Sequence, residues 1–292
     1  EQRMSGRTQT LAVDKRLAGH LRTRIIKHRE SPEVIASQMK GENLEYTVCA
    51  KTIYNLIDRN LIEGVSNESR WEKRCRRKAS KTLCRKRKQA VAPGHSIENR
   101  PESIESRKEA RHWEIGLVVG GKGANTAVLL TLTERTTRKQ IIRKLKDKTQ
   151  KAVVRAINGI ERQMGEDAFR TVFKTITADH GREFLDYESL ERSVLVAGSR
   201  THIDDAHPYS SGERGSHENA NRIIRRFIPK GCDISKYTCK KIQEIEEWIN
   251  HYPRKILNFK ACLKRKFSQH YLDTIFLKSK VKKIEILRLF FA

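Results

Sequence analysis

The chain has 292 residues, enough for one large domain or two smaller ones with a buried core. Its 61 Lys+Arg against 35 Asp+Glu leave a formal charge of +26, which repels itself in a folded protein unless a polyanion such as nucleic acid offsets it. The six cysteines form no C-x-x-C pair and stand at no zinc-finger spacing, and no apolar run approaches a membrane span, so a disulfide scaffold, a zinc finger and a membrane protein are all disfavoured.

Residues 1–64 read as a small helical region. It opens at Glu1 rather than Met, and an N-terminal truncation is expected. No signal-peptide pattern is present, and a cytoplasmic, nucleoid-associated location is expected. Ser31-Pro32-Glu33 is a helix start: Ser31 can cap, Pro32 needs no amide partner at the first helical position, and Glu33 suits the positive helix end. The helix runs to Lys40, and Gly41-Glu42-Asn43 breaks it. A second helix from Thr47 to Arg59 puts Ile53, Tyr54 and Ile57 on one face and Lys51, Asn55 and Arg59 on another. Two short helices with a tight connection and a basic second helix predict a helix-turn-helix that reads the major groove; an ordinary helical hairpin is the other reading.

Residues 65–111 have little apolar periodicity and form a basic linker. Between Arg70 and Lys88 lie eleven basic residues and a single acid, Glu72. Arg70, Lys73, Arg74, Arg76, Arg77, Lys78, Arg85, Lys86, Arg87 and Lys88 are candidate phosphate contacts, since such a run suits a DNA backbone and cannot fold alone.

From His112 the texture becomes mixed α/β. Strands are expected at His112–Gly120, Ala127–Glu134, Lys139–Leu145, Phe173–Ala178 and His202–Asp204, with a hairpin turn at Gly120–Gly123. Helices are expected at Thr149–Met164, Asp186–Val194 and Gly215–Arg226. Three antiparallel strands followed by helices alternating with strands is the order of a ribonuclease-H-like mixed sheet.

Two stretches carry chemistry. Ile176-Thr177-Ala178-Asp179-His180-Gly181 places an acid at the carboxyl end of an apolar strand, where open α/β sheets put their sites. The loop from His207 to Gly215 leads into a helix carrying Glu218 and Asn219, then Arg222, Arg225 and Arg226. With His112-Trp113-Glu114, the run Ile223–Gly231 and Asn250-His251-Tyr252-Pro253-Arg254-Lys255, these motifs resemble the DDE transposases of bacterial insertion-sequence family thirty, which carry an integrase-type catalytic core. The resemblance spans about Leu21 to Lys260. It implies a core over residues 112–260 and a pair of divalent cations, Mg²⁺ or Mn²⁺, held by three carboxylates. It implies that these ions drive cleavage of the element's ends and their transfer to target DNA, on double-stranded DNA and in a homo-oligomer. Asp179 matches the second carboxylate and Glu218 the third. Arg214, Asn219, Arg222, Arg225, Arg226 and Lys230 are further candidate DNA contacts.

The sequence departs from that pattern where the first carboxylate is expected, because Gly116 stands in place of Asp. Glu114 shares its strand face but lies about 6.5–7 Å away, a poor substitute. Activity is therefore expected to be impaired, and a catalytically inactive DNA-binding protein, a repressor of related elements, is the alternative. His180, Arg182, Gly212, His217 and the Asp204-Asp205 pair also depart from the pattern, and the two acids are expected to destabilise their strand. A softer metal at His180 is a minor alternative. The tail 261–292 is basic, then apolar, and diverges from the family ending.

Overall fold

The computed structural model describes residues 14–41, 47–69, 95–107, 109–121, 127–207 and 215–262. The basic run 70–88, Arg214 and the tail beyond residue 262 fall outside them. The chain divides into two compact units, Glu1–Cys84 with Pro253–Phe259, and Arg85–Tyr252 with Lys260–Ala292. Pro253–Phe259, placed at the end of the core from sequence, thus groups with the first unit.

Among its described residues the first unit holds the α-helices α1 (Lys15–Arg22), α2 (Pro32–Met39) and α3 (Ala50–Asp58). Asp14 caps α1 by accepting the Arg16 amide at 2.8 Å. The helix ends through a wider turn, Thr23–Lys27, closed by His28 N–H on the Thr23 carbonyl at 3.1 Å. Ser31 stands at the α2 cap position but makes no capping bond; its hydroxyl turns to the Glu33 carboxylate instead. Leu21, Ile35, Met39, Ile53, Leu56 and Ile57 form the core, and Tyr54, expected with them, keeps its hydroxyl on Glu33 Oε1 at 2.5 Å. One expectation needs correction. The second helix begins at Ala50, not Thr47.

The second unit holds a five-stranded sheet of order β3-β2-β1-β4-β5. Strands β1 (His112–Val119), β2 (Val128–Glu134) and β3 (Gln140–Leu145) are antiparallel; β4 (Thr175–Ala178) and β5 (His202–Asp205) join parallel to β1. This is the ribonuclease-H-like mixed sheet expected from sequence. Before β1 comes the single turn α4 (Glu102–Glu105); after β3 come α5 (Gln150–Met164) and α6 (Glu166–Val172). The single turn α7 (Tyr187–Glu191), α8 (Gly215–Ile224) and α9 (Cys239–His251) follow.

Alternation along β1 assigns the two faces. Trp113 and Ile115 pack with Leu130, Leu132, Val153, Ile157 and Phe169 beneath α5 and α6. Val118 packs with Leu129, Ile142, Ile223, Ile242 and Ile249 beneath α8 and α9. With both faces covered, every residue of β2 from Val128 to Glu134 is buried, the polar Thr131, Thr133 and Glu134 included. At the far end of β1, Gly121 N–H reaches the Cys232 carbonyl at 3.0 Å; a Cβ on Gly121 would meet the Gly231 carbonyl at 2.3 Å, so only glycine permits this approach.

Candidate active site

The parallel register of β1 and β4 pairs Trp113 with Ile176 and Glu114 with Thr177. The pairing stops there: β4 ends at Ala178, the residue before Asp179, and Gly116 lies two residues beyond Glu114 on β1. Ile176 and Ala178 face α5, so by alternation Thr177 lies on the other face, with Glu114 and Gly116. Helix α8 crosses that face. The His217 amide donates to Glu114 Oε2 at 2.7 Å, and Thr131, the cross-strand partner of Gly116, lies 3.4 Å from Asn221 Oδ1 through its hydroxyl. Glu218 follows His217 in the first turn of α8 and is exposed. Helix α8 is thereby seated on β1 beside Gly116, and Asp179 follows the end of β4. Asp179 and Glu218 bear carboxylates, and the buried Gly116 has none.

Glu114 has other work. It is fully buried, 3.2 Å from Arg135 Nε through Oε1, while Oε2 holds the start of α8. That carboxylate neutralises a buried guanidinium and satisfies an orphan helix amide. Its neighbours are equally structural: Arg138 bonds Ser216, and Glu134 accepts Thr137 Oγ1 at 2.6 Å and the Thr136 and Arg111 amides. Burial pushes the Glu134 carboxyl up, against the pull of these donors. Sequence reading missed Arg135 and Arg138, although basic residues ending a strand beside an acidic motif were the available signal.

A second carboxylate group lies beyond β4. Asp205 pairs with Ala178 across the sheet and is buried, with Oδ2 2.5 Å from His180 Nδ1 and 2.8 Å from the Tyr187 hydroxyl. The expectation of an unsupported, destabilising acid is overturned for Asp205, because two polar partners meet it. It also gives His180 a protein partner and pushes the Tyr187 phenol well up, through burial and the adjacent carboxylate. Asp204 is buried beside Thr177, which receives a hydrogen bond from Arg100 Nη1 at 2.9 Å. Burial raises the Asp204 carboxyl, while His202, Arg100 and Arg135 oppose that rise.

No family model matches the chain. Individual relatives do. The "Probable transposase for insertion-like sequence element IS1161" of Streptococcus salivarius is 35% identical over 214 residues, 73% of this chain and 57% of that protein. The transposase for insertion sequence element IS4351 of Bacteroides fragilis is 32% identical over 245 residues, 82% of this chain and 70% of that protein. The chain belongs to the transposases of bacterial insertion sequences. The transposase InsI for element IS30C of Escherichia coli, 31% identical over 59% of this chain and 42% of its own length, agrees with the family-thirty motifs. The chain thus spans little more than half of the streptococcal relative and less than half of InsI. A simian T-cell lymphotropic virus intasome is similar in structure over 54% of each chain, with 13% identity and a TM-score of 0.42, too low to add to the assignment.

Within this transposase the candidate DNA contacts separate by exposure. Lys51, Asn55 and Arg59 are exposed along one face of α3 at i, i+4, i+8 spacing. Asn219, Arg222 and Lys230 are exposed as well. Arg225 and Arg226 are half-buried and engaged by the fold: Arg225 Nη2 donates to the Val119 carbonyl at 2.8 Å, and Arg226 lies 5.0 Å from the Tyr252 ring. Among the described residues, no helix is long and apolar enough to cross a membrane.

Proposed function

We propose that this chain is a DNA-binding insertion-sequence transposase whose strand-transfer step is crippled at position 116. One observation supports the reading: Gly116 brings no carboxylate to β1 beneath α8, and Glu114, the nearest acid on β1, is committed to Arg135 and the His217 amide. Family members use divalent ions, and Asp179 and Glu218 are the residues that remain to hold them. A two-ion site of three carboxylates does not fit the residues present, because nothing at position 116 can bridge the pair. Residues 1–64 and the linker 65–111 supply DNA binding, through the exposed face of α3 and the basic run. Strand transfer joins two element ends, so a dimer or larger assembly on double-stranded DNA belongs to the reading. The same missing carboxylate favours the second reading, an inactive DNA-binding protein that competes for the ends of related elements.

The test is strand transfer of pre-cleaved element ends, supplied as labelled duplexes with Mg²⁺ or Mn²⁺. The chain is expected to bind the ends and join none, and Gly116→Asp is expected to restore joining. Efficient joining by the unaltered chain would show that Gly116 is no obstacle to the reaction.

A further inference from the structure

A separate cluster lies at the start of β5 and along its free edge. His202, at the start of β5, pairs with Thr175, four residues before Asp179, or roughly 13 Å along the strand. Its Nδ1 is 3.0 Å from Glu191 Oε1, at the end of α7. His95 enters from the later part of the linker, past the basic run 70–88, which adds to the free edge of β5 through a parallel bridge between Ser96 and Asp205. Its Nδ1 lies 3.7 Å from the same Glu191 oxygen. One potential ligand atom from each of His95, Glu191 and His202 falls within 4.8 Å of the other two.

We propose that His95, Glu191 and His202 form a binding site for a borderline divalent cation of the zinc class, distinct from the Asp179–Glu218 site. The chemistry of the donors argues for this class. Two imidazoles and one carboxylate suit Zn²⁺ or Co²⁺ and are poor for Mg²⁺, which prefers an all-oxygen shell. At zinc–ligand distances of about 2.0–2.1 Å, tetrahedral ligand atoms stand about 3.3 Å apart. The 3.0 Å between His202 Nδ1 and Glu191 Oε1 is close to that value.

The surroundings orient the ligands. His95 Nδ1 lies 2.9 Å from the Ile203 carbonyl, which can only accept, so Nδ1 carries the proton and Nε2 keeps its lone pair. The His95 ring is stacked on Tyr187, with centroids 4.4 Å apart. Glu191 is steadied by the Ile203 amide, 2.7 Å from Oε1. Asp204 Oδ1, 3.6 Å from His202 Nε2, supplies further negative charge. Three protein ligands leave a fourth position for water. A cation here ties the later part of the linker to β5 and α7.

Cobalt is the probe, because Co²⁺ bound tetrahedrally absorbs in the visible and zinc displaces it. The full chain, stripped with chelator, is titrated with Co²⁺ and then Zn²⁺. One equivalent of cobalt with a visible band that zinc bleaches is expected. His202→Ala and Glu191→Gln should each weaken cobalt binding at least tenfold. Asp179→Asn with Glu218→Gln should leave the band intact. His202 is half-exposed, so its alanine variant is expected to stay folded, which circular dichroism checks. No cobalt binding would overturn the proposal. A band that survives both ligand variants, or vanishes with the Asp179 and Glu218 changes, would overturn it as well.

Discussion

The His217 amide donates to Glu114 Oε2 at 2.7 Å, joining the interior of β1 to the first turn of α8. The acid nearest position 116 is thereby used to seat the helix that carries Glu218. Removing it with Glu114→Ala leaves the buried Arg135 guanidinium with only the half-exposed Glu105 beside it and the His217 amide without its acceptor, and should cost about 3 kcal/mol in urea unfolding. Glu114→Gln keeps an acceptor for the amide and should cost less. If the alanine variant unfolds with the unaltered chain, Glu114 is not the structural acid described.

The contact of His180 with Asp205 predicts energetic coupling. Truncating Asp205 strips both His180 and Tyr187 of an acceptor in a buried setting, at about 1–3 kcal/mol. A double-mutant cycle with His180→Ala and Asp205→Ala should return a coupling well above the ~0.5 kcal/mol scatter of independent sites. Additive losses would show that the two residues stand together without supporting each other.

Lys51, Asn55 and Arg59 are exposed, so their joint replacement by alanine should leave thermal stability unchanged while weakening binding to end DNA. The salt dependence of binding should also flatten, by a slope of about 0.9 for each phosphate that the variant no longer neutralises. An unchanged affinity and slope would move DNA recognition away from this face of α3.

Glu246 supplies a pH prediction. Burial pushes its carboxyl up from the ordinary 4.5, while Arg143, the Ile142 amide and Lys139 pull against it. A carboxyl that is raised on folding binds its proton more tightly in the folded chain. Its contribution is therefore most favourable below the ordinary value and declines as pH rises through the raised one. Stability of the unaltered chain relative to Glu246→Gln should thus fall as pH is raised from about 4.5. Parallel stability curves for the two proteins would contradict a raised carboxyl.

Most of the core was legible because its strands carry strong local signals. His112–Val119, Val128–Glu134 and Gln140–Leu145 differ from expectation by at most one residue at an end. Helix α9 was not among the expected elements, although Ile242, Ile245 and Ile249 mark a helical face between two motifs. Phe173 was expected to begin β4, but its amide bonds the Phe169 carbonyl at 2.8 Å and closes α6. In the site, alternation correctly put Glu114 and Gly116 on one face. The partners of Glu114, His180 and Asp205 come from distant parts of the chain, and no local periodicity marks a long-range ion pair. The same applies to His95, which reaches its cluster from beside the linker.

In the proposed reading, position 116 lacks the carboxylate that would help to hold a metal ion. Mn²⁺ binding to the full chain with end DNA, followed by electron paramagnetic resonance and compared with Gly116→Asp, measures what that ligand is worth. At least a tenfold gain in Mn²⁺ affinity is predicted for the variant, abolished by adding Asp179→Asn. Equal affinity in the unaltered chain and the variant would contradict the assignment of position 116 to the metal site.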